Sequence, residues 1–404
     1  MTGDVADVLA RAHALLAELR EVDLDDLGDD SLSDAVLTLQ RLRGGLEVAE
    51  ARVLSRWDAQ GAWRASGAKT AAAWLAWRQH LPIGVARQRL RHAKAMRTLP
   101  MVEAAWADGA IDRAHVTALL GARTARTAEV FDREHKTLLD IARDSSFEHF
   151  KRACDRFEMV VDPDGAEQGA DDDRNARELH LSQSFGGMWF GRMTLDPIYG
   201  EIVDSSLRLI ERELFEADWA AAKERLGRAP LIMELDRTPA QRRADALVEM
   251  ATRARTAPVG GRRPAPLFTV VVGLESLTGP VLEMFNRNPI TPGTAARYLT
   301  GADVERIVFD GPSRVIDVGV RRRFFTGALR RAIEVRDRTC FHPSCDEVPE
   351  RLQIDHIHDA SKGGETTQDN GQGGCGYHNR WKYNHPSPSS SDDDPDADLP
   401  PPFG

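Results

Sequence analysis

The stretch RDRTCFHPSCDEVPERLQIDHIHDASKGGETTQDNGQGGCGYHNRWK, from Arg336 to Lys382, decides how this chain is read. Three of the four cysteines lie in it, so cysteine chemistry is concentrated at one place. Cys340 and Cys345 are spaced C-x4-C, and Cys375 and His378 are spaced C-x2-H. Two close pairs separated by a loop suit a tetrahedral zinc ion. Each pair forms a short knuckle, and the loop folds back so that four ligands converge. A Cys3His site has no open position, so its zinc is expected to be structural.

Between the knuckles stands a second group: Asp355-His356, then Asn370, then Asn379 directly after His378. These are the residue types of a hard-metal hydrolase. A carboxylate holds Mg2+ or a similar ion through oxygen. A neutral imidazole accepts a proton from water. A divalent ion neutralises charge on a phosphate and on its leaving oxygen.

With both groups in place, the stretch resembles the HNH endonucleases, the ββα-metal or His-Me finger family. The likeness is to the actinobacterial form, whose signature is C-x4-C, D-H, GG-x-T, N, and C-x2-H followed by H or N. The resemblance implies that Asp355 binds a catalytic divalent ion and that His356 is the general base. It implies that Asn370 holds the hairpin loop and His356 in position. Asn379 takes the place of the family's commoner last histidine as a metal ligand. An amide is a poorer ligand than imidazole for most transition metals, so HNN in place of HNH shifts the expected ion to Mg2+ or Mn2+. The implied reaction is hydrolysis of phosphodiester bonds in DNA, double-stranded in the first instance. The same departure supports an alternative, a zinc-containing module that binds DNA or a partner and cleaves weakly or not at all. A third reading makes the large helical part a partner-recruiting scaffold.

Upstream of Cys340 the chain is basic, with Arg321 to Arg323, Arg330, Arg331, Arg336 and Arg338. Beside a nuclease-like site, Arg330, Arg331 and Arg336 are expected to meet phosphates. Lys382 is open between a phosphate contact and a solvated lysine. His342 and His358 fall outside the motif and are expected at the surface or just behind the site.

Further out, residues 1–162 read as successive helices. Val5 to Leu19 carries a broken apolar stripe. An acidic linker follows, and Ser31 or Ser33 can cap a long second helix. In that helix Leu39, Leu42, Leu46, Ala49 and Val53 recur at three- and four-residue steps, which suits packing inside a bundle. Another helix is expected over Ser66 to Trp77. One from Pro82 to about Leu99 bears Arg87, Arg89, Arg91, Lys94 and Arg97 without an acid. In an acidic chain these are expected to pair with acids of neighbouring helices. Trp57, Trp63, Trp74 and Trp77 are expected to pack inside, and Cys154 to be a small buried hydrophobe. Asp112 can cap the helix that follows it.

Residues from 163 to the mid-170s, rich in Asp and Gly, read as a linker. Next come two strand-like runs around Gly186-Gly187, a helix opened by Pro197, and a helix opened by Thr238-Pro239. This region, with RRADALVEM, resembles the helical domain of unknown function that precedes the HNH module in the same actinobacterial proteins. A strand is expected over 267–274 and a hairpin around Gly311-Pro312. Thr326 can cap the helix leading into Cys340.

The chain of 404 residues has 42% hydrophobic and 29% charged residues, which suits a globular protein of two or three domains. Its net charge of -10 argues against a wholly basic nucleic-acid coat but permits a local basic face. Few cysteines, an N-terminus broken by charges and no long apolar run lead to an expected cytoplasmic location with no membrane contact. The expected fold is mainly α with a smaller α+β part. A helical domain spans 1–162, an α+β continuation 175–320, the HNH module 321–386, and a disordered acidic Pro/Ser tail 387–404.

Overall fold

The structure, a computed structural model, describes residues 5–25, 27–256, 270–271, 281–284, 286–299, 325, 327–360 and 364–384. The expected hairpin around Gly311-Pro312, Arg321 to Arg323, the Thr326 cap and the acidic tail lie outside them, as does most of the expected strand at 267–274. The chain divides into two compact units, Met1–Cys154 and Asp155–Gly404. Among the described residues no helix is long and apolar enough to cross a membrane.

The first unit is helical. Its elements are α1 (Val5–Arg20), α2 (Asp29–Gln60), α3 (Ala71–Arg78), α4 (Ile83–Met96), α5 (Pro100–Ala107), α6 (Arg113–Ala122) and α7 (Ala128–Asp144), with α8 (Phe147–Val161) at its end. Helix α2 lies against α4 and α5 and buries Val48, Ala51 and Leu54 there. Gly44 makes the α5 crossing possible, since a Cβ would collide with the Trp106 carbonyl. Asp112 caps α6 as expected, accepting from the Ala114 and His115 amides. The basic α4 pairs with acids of α2, Arg89 with Glu50 at 2.9 Å and Lys94 with Asp58 at 3.0 Å. Trp57 and Trp74 pack with ring centroids 4.8 Å apart, and Cys154 is buried.

Four expectations change. The α2 stripe from Leu39 to Val53 faces outward, because the opposite face of small and apolar residues makes the packing. No serine caps α2; Gly28 precedes it, and Ser33 Oγ donates instead to the Asp29 carbonyl. The helix expected over Ser66 to Trp77 is interrupted, because Gly67 is left-handed (φ 73°) and Thr70 then caps α3. Trp77 is exposed, with the Arg78 guanidinium over its ring.

The second unit begins with a further correction, since the expected linker is helix α9 (Pro163–Asn175). Pro163 supplies the first helical φ, and Asp162 accepts from the Gly165 amide, so start signals outweigh composition. The expected hairpin follows as antiparallel β1 (Glu178–Gln183) and β2 (Trp189–Thr194), with Gly186 and Gly187 in its loop. Helices α10 (Pro197–Leu226) and α11 (Pro239–Thr256) pack as a pair through Leu207, Ile210 and Ala246. A small antiparallel sheet joins β3 (Val270–Val271), β4 (Leu282–Met284) and β5 (Pro289–Ile290), and α12 (Pro292–Leu299) follows. Met284 and Ile290 pack with Ile198 of α10 and Ala295 of α12. The unit ends with α13 (Gly327–Asp337), β6 (Leu352–His356), β7 (Gly371–Cys375) and α14 (Gly376–Asn384).

The α10–α11 pair is clamped by Asp218, which meets Arg242 at 3.1 Å and Arg237 at 2.5 Å. The side chains of Asp218 and Arg242 are each only 8% exposed, so the acid cannot be replaced by water. Burial raises the Asp218 carboxyl, but hydrogen bonds from Arg237 and Arg242 outweigh this and hold it below the usual carboxylate range. Its stabilisation is therefore complete above the unfolded pKa of about 4 and is lost as pH falls through the lower folded value. Asp218→Asn leaves buried guanidinium charge unmatched and is expected to cost about 3 kcal/mol. Urea unfolding at neutral pH measures this, and an unchanged midpoint would refute the clamp.

Candidate metal centre

The hairpin β6–β7 and helix α14 form the frame on which the C-terminal side chains converge. The strands are antiparallel, with Leu352 opposite Cys375, Asp355 opposite Gln372 and His356 opposite Gly371. Strand β7 reads Gly-Gln-Gly-Gly-Cys, and its nearly bare backbone lets α13 and α14 approach closely. Arg336 fastens α13 to β7 and the loop before it by donating to the carbonyls of Gly371 (2.6 Å) and Gln368 (2.7 Å). Its neighbour Asp337 accepts from the Gly373 amide at 2.7 Å.

Cys340 and Cys345 come from the segment after α13, Cys375 ends β7, and His378 lies in the first turn of α14. Their ligand atoms all lie within 4.8 Å of one another, a group that can hold a metal ion such as zinc. Cys345 Sγ is 3.9 Å from Cys375 Sγ. His378 Nδ1 is 3.4 Å from Cys340 Sγ and 3.2 Å from Cys375 Sγ. A zinc tetrahedron with Zn–S of about 2.3 Å and Zn–N of about 2.0 Å requires about 3.8 Å between sulfurs and about 3.5 Å from sulfur to nitrogen. The donors therefore fit zinc in type, number and spacing. The Cys375 amide points at Cys340 Sγ and the His378 amide at Cys375 Sγ, each at 3.4 Å, which favours thiolates. Without a cation, burial pushes the Cys345 thiol up to about 12 and the Cys340 thiol upward as well. Burial first, then nearby His342, hold His378 below the ordinary histidine value, which favours the neutral imidazole. The His342 ring stacks on His378 at 4.0 Å and 6°, a support that spacing alone did not predict.

The second group lies along β6. Strand alternation puts Gln353 and Asp355 on one face, and α14 lies across it. Asn379 is buried and its Nδ2 donates to the Gln353 carbonyl (3.3 Å) and Oε1 (3.2 Å). Its Oδ1 is buried and has no hydrogen-bond partner, a condition shared among the described side chains only with Arg89 Nε. Lys382, one turn further along α14, donates to Asp355 Oδ2 at 3.3 Å and to the His356 carbonyl. The structure thus joins Lys382 to Asp355 directly, while no hydrogen bond links Asn379 to Asp355.

His356 is buried at the strand end, its ring 4.6 Å from that of Phe325. Its Nε2 is 2.9 Å from Thr366 Oγ1, and its Nδ1 is 4.0 Å from Asp355 Oδ1. Asn370 clasps the loop after β6. It accepts from the His358 amide (2.7 Å) and donates to the carbonyls of His358 (3.1 Å) and Glu365 (2.7 Å). Of the basic residues, Arg330 contacts Glu334 and donates to the Leu352 carbonyl, and Arg331 lies 3.6 Å from Glu334. Arg336 is the most internally engaged of the three.

The fold and the cluster define a mainly helical protein with small antiparallel sheets and a C-terminal Cys3His group. The chain belongs to the family described as Domain of unknown function (DUF222), whose model matches residues 33–337. The Cys3His group and the β6–β7 hairpin lie beyond that range. No curated protein and no solved structure matches the chain.

Proposed function

We propose that the C-terminal hairpin and helix form a zinc-stabilised HNH-type endonuclease module that hydrolyses DNA phosphodiester bonds. The observation that carries this reading is the buried, unpartnered Oδ1 of Asn379 on the same β6 face as the Asp355 carboxylate. A buried acceptor left open is costly unless something fills it. An oxygen-seeking cation suits an amide oxygen and a carboxylate as ligands. Asp355 and Asn379 would hold a divalent ion such as Mg2+ or Mn2+. When bound, that ion supplies charge neutralisation to the phosphate.

The protein's own residues supply the proton chemistry. In the tautomer that donates Nε2–H to Thr366 Oγ1, His356 keeps its lone pair at Nδ1. That nitrogen can accept a proton from an attacking water. Asn370 fixes the loop that carries Thr366 and so fixes the ring indirectly. The four zinc ligands hold the hairpin and helix together and take no part in the reaction.

The deciding experiment incubates the full chain with supercoiled plasmid and Mg2+, Mn2+ or EDTA. Nicking that needs an added divalent ion and stops with EDTA is expected. A second reading, a module that binds DNA without cutting it, is favoured by one contact: the Lys382 ammonium already neutralises Asp355. Binding without nicking in either metal would select it.

DNA affinity is expected to fall steeply with salt, because each phosphate contact releases counterions. Replacing both Arg330 and Arg331 with Gln should lower the slope of log K against log salt by about 2. A fluorescence-anisotropy titration at several salt concentrations measures it, and an unchanged slope would confine both arginines to contacts within the protein.

A further inference from the structure

We propose that a cavity between α2, α4 and α5 binds the phosphate monoester of a small molecule. The cavity measures about 270 Å³. Ser55 and Arg56 stand three and four residues after Arg52, so α2 presents all three to it from one side. Arg97 enters from the end of α4 and Glu103 from α5. Ala93 and Met96 of α4, both buried, add an apolar wall.

Two observations identify the ligand. The first is Ser55. It is 9% exposed, and its hydroxyl has no hydrogen-bond partner among the described residues. A serine inside a helix can donate to the carbonyl one turn earlier, as Ser33 does to Asp29. Ser55 does not, and it lines the cavity as a donor with no acceptor in reach. A buried hydroxyl left in that state calls for an occupant.

The second observation is charge. Elsewhere in this unit Arg89, Lys94 and Arg113 each meet an acid of α2. At the cavity Arg52 meets Glu103 at 3.3 Å, but Arg56 and Arg97 reach no acid among the described residues. Three arginines against one glutamate leave two positive charges. A phosphate monoester carries about -1.5 to -2 at neutral pH and presents strong acceptor oxygens. Planar guanidinium groups match such oxygens in pairs. A carboxylate or a phosphodiester brings a single charge and leaves the balance incomplete. The volume lies below the roughly 300 to 1,000 Å³ of sites for drug-sized ligands, so the phosphate carries only a short carbon stem, set against Ala93 and Met96.

Isothermal titration calorimetry of the full chain with phenyl phosphate tests the proposal, beside inorganic phosphate, sulfate and a short DNA duplex. One phenyl phosphate per chain is expected to bind with a submillimolar Kd, more tightly than inorganic phosphate because its ring meets the apolar wall. Ser55→Ala should weaken it about tenfold, through the loss of one hydrogen bond to a charged acceptor. Arg56→Gln with Arg97→Gln should take binding below detection. None of these changes removes a hydrogen bond or ion pair among the described residues, so helical circular dichroism should stay at the wild-type level. Absence of binding by phenyl phosphate would mean a cavity that holds water only, and would overturn the proposal. Sulfate bound as tightly as phenyl phosphate would overturn it in favour of an unselective basic surface. Duplex DNA that binds through Arg56 and Arg97 while phenyl phosphate does not would overturn it in favour of a nucleic-acid contact. Wild-type affinity in Ser55→Ala would refute the site as built here.

Discussion

Cys375→Ser is expected to abolish metal binding and unfold residues 338–384, while both helical regions keep their structure. The core around the cluster explains the size of the effect. It consists of Leu352 with the cysteines themselves, and Phe341 and Ile354 are only partly buried beside it. So small a core cannot offset the entropy of ordering this segment. A closed four-ligand zinc site contributes on the order of 10 kcal/mol of metal-coupled folding energy, more than these side chains supply. Serine keeps the size of cysteine but cannot provide the thiolate. Metal analysis should find about one zinc per wild-type chain and none in the variant. Limited proteolysis should place new cuts beyond residue 337 and leave α10 and α11 intact. Wild-type protein purified without chelator and carrying no zinc would refute the assignment, and so would a variant hairpin that resists protease.

His356→Ala is expected to lower the nicking rate by a factor of about 100 to 10,000 while zinc content and DNA affinity stay near wild type. Such a division of labour follows from position. His356 sits at the loop end of β6, whereas the cluster gathers at the other end of the hairpin, where Leu352 faces Cys375. Loss of the imidazole removes a proton acceptor and a ring packed on Phe325, but no zinc ligand. Asp355→Ala should be at least as damaging, since it removes the only anion proposed for the divalent ion and leaves the Lys382 ammonium unmatched. Plasmid nicking, zinc content and anisotropy measured on the same preparations separate the roles. If His356→Ala nicks as fast as wild type, the cleavage arises elsewhere and the proposed mechanism fails.

Much of the frame was legible in the sequence because it depends on local spacing. C-x4-C and C-x2-H placed the four ligands, Gly186-Gly187 placed a hairpin, and Asp112 placed a cap. What remained hidden depends on which side of an element meets its neighbour. The Leu39 to Val53 stripe has the period of a packed helix, yet Gly44, Val48 and Ala51 on the other side admit α5 and α4. Period alone does not choose between two usable faces. The segment after Asp162 was obscured differently, because Asp and Gly suggest a loop while Pro163 and the Asp162 side chain start a helix. At the site, Asp355-His356 and Asn370 could be picked out. The engagement of Lys382 with Asp355 could not, since it depends on how α14 lies across β6. Nor could the inward turn of Arg336, which besides Asp337 reaches two backbone carbonyls that carry no residue signature.

Strand β7 has a genetic consequence. Gly371 faces Ile333 and Phe325, Gly373 faces Leu352, and Gly374 faces Asn379 and Phe341, all at separations that leave no space for a Cβ. Every single-base change in a glycine codon that still encodes an amino acid either is silent or adds a Cβ. The three codons therefore have no conservative missense neighbour, and alanine is no gentler than serine in the first contact it makes. A saturation library scored for folded protein should show this strand as a block of intolerance interrupted at Gln372. In such a map, positions with no side chain to lose would rank beside the cysteines.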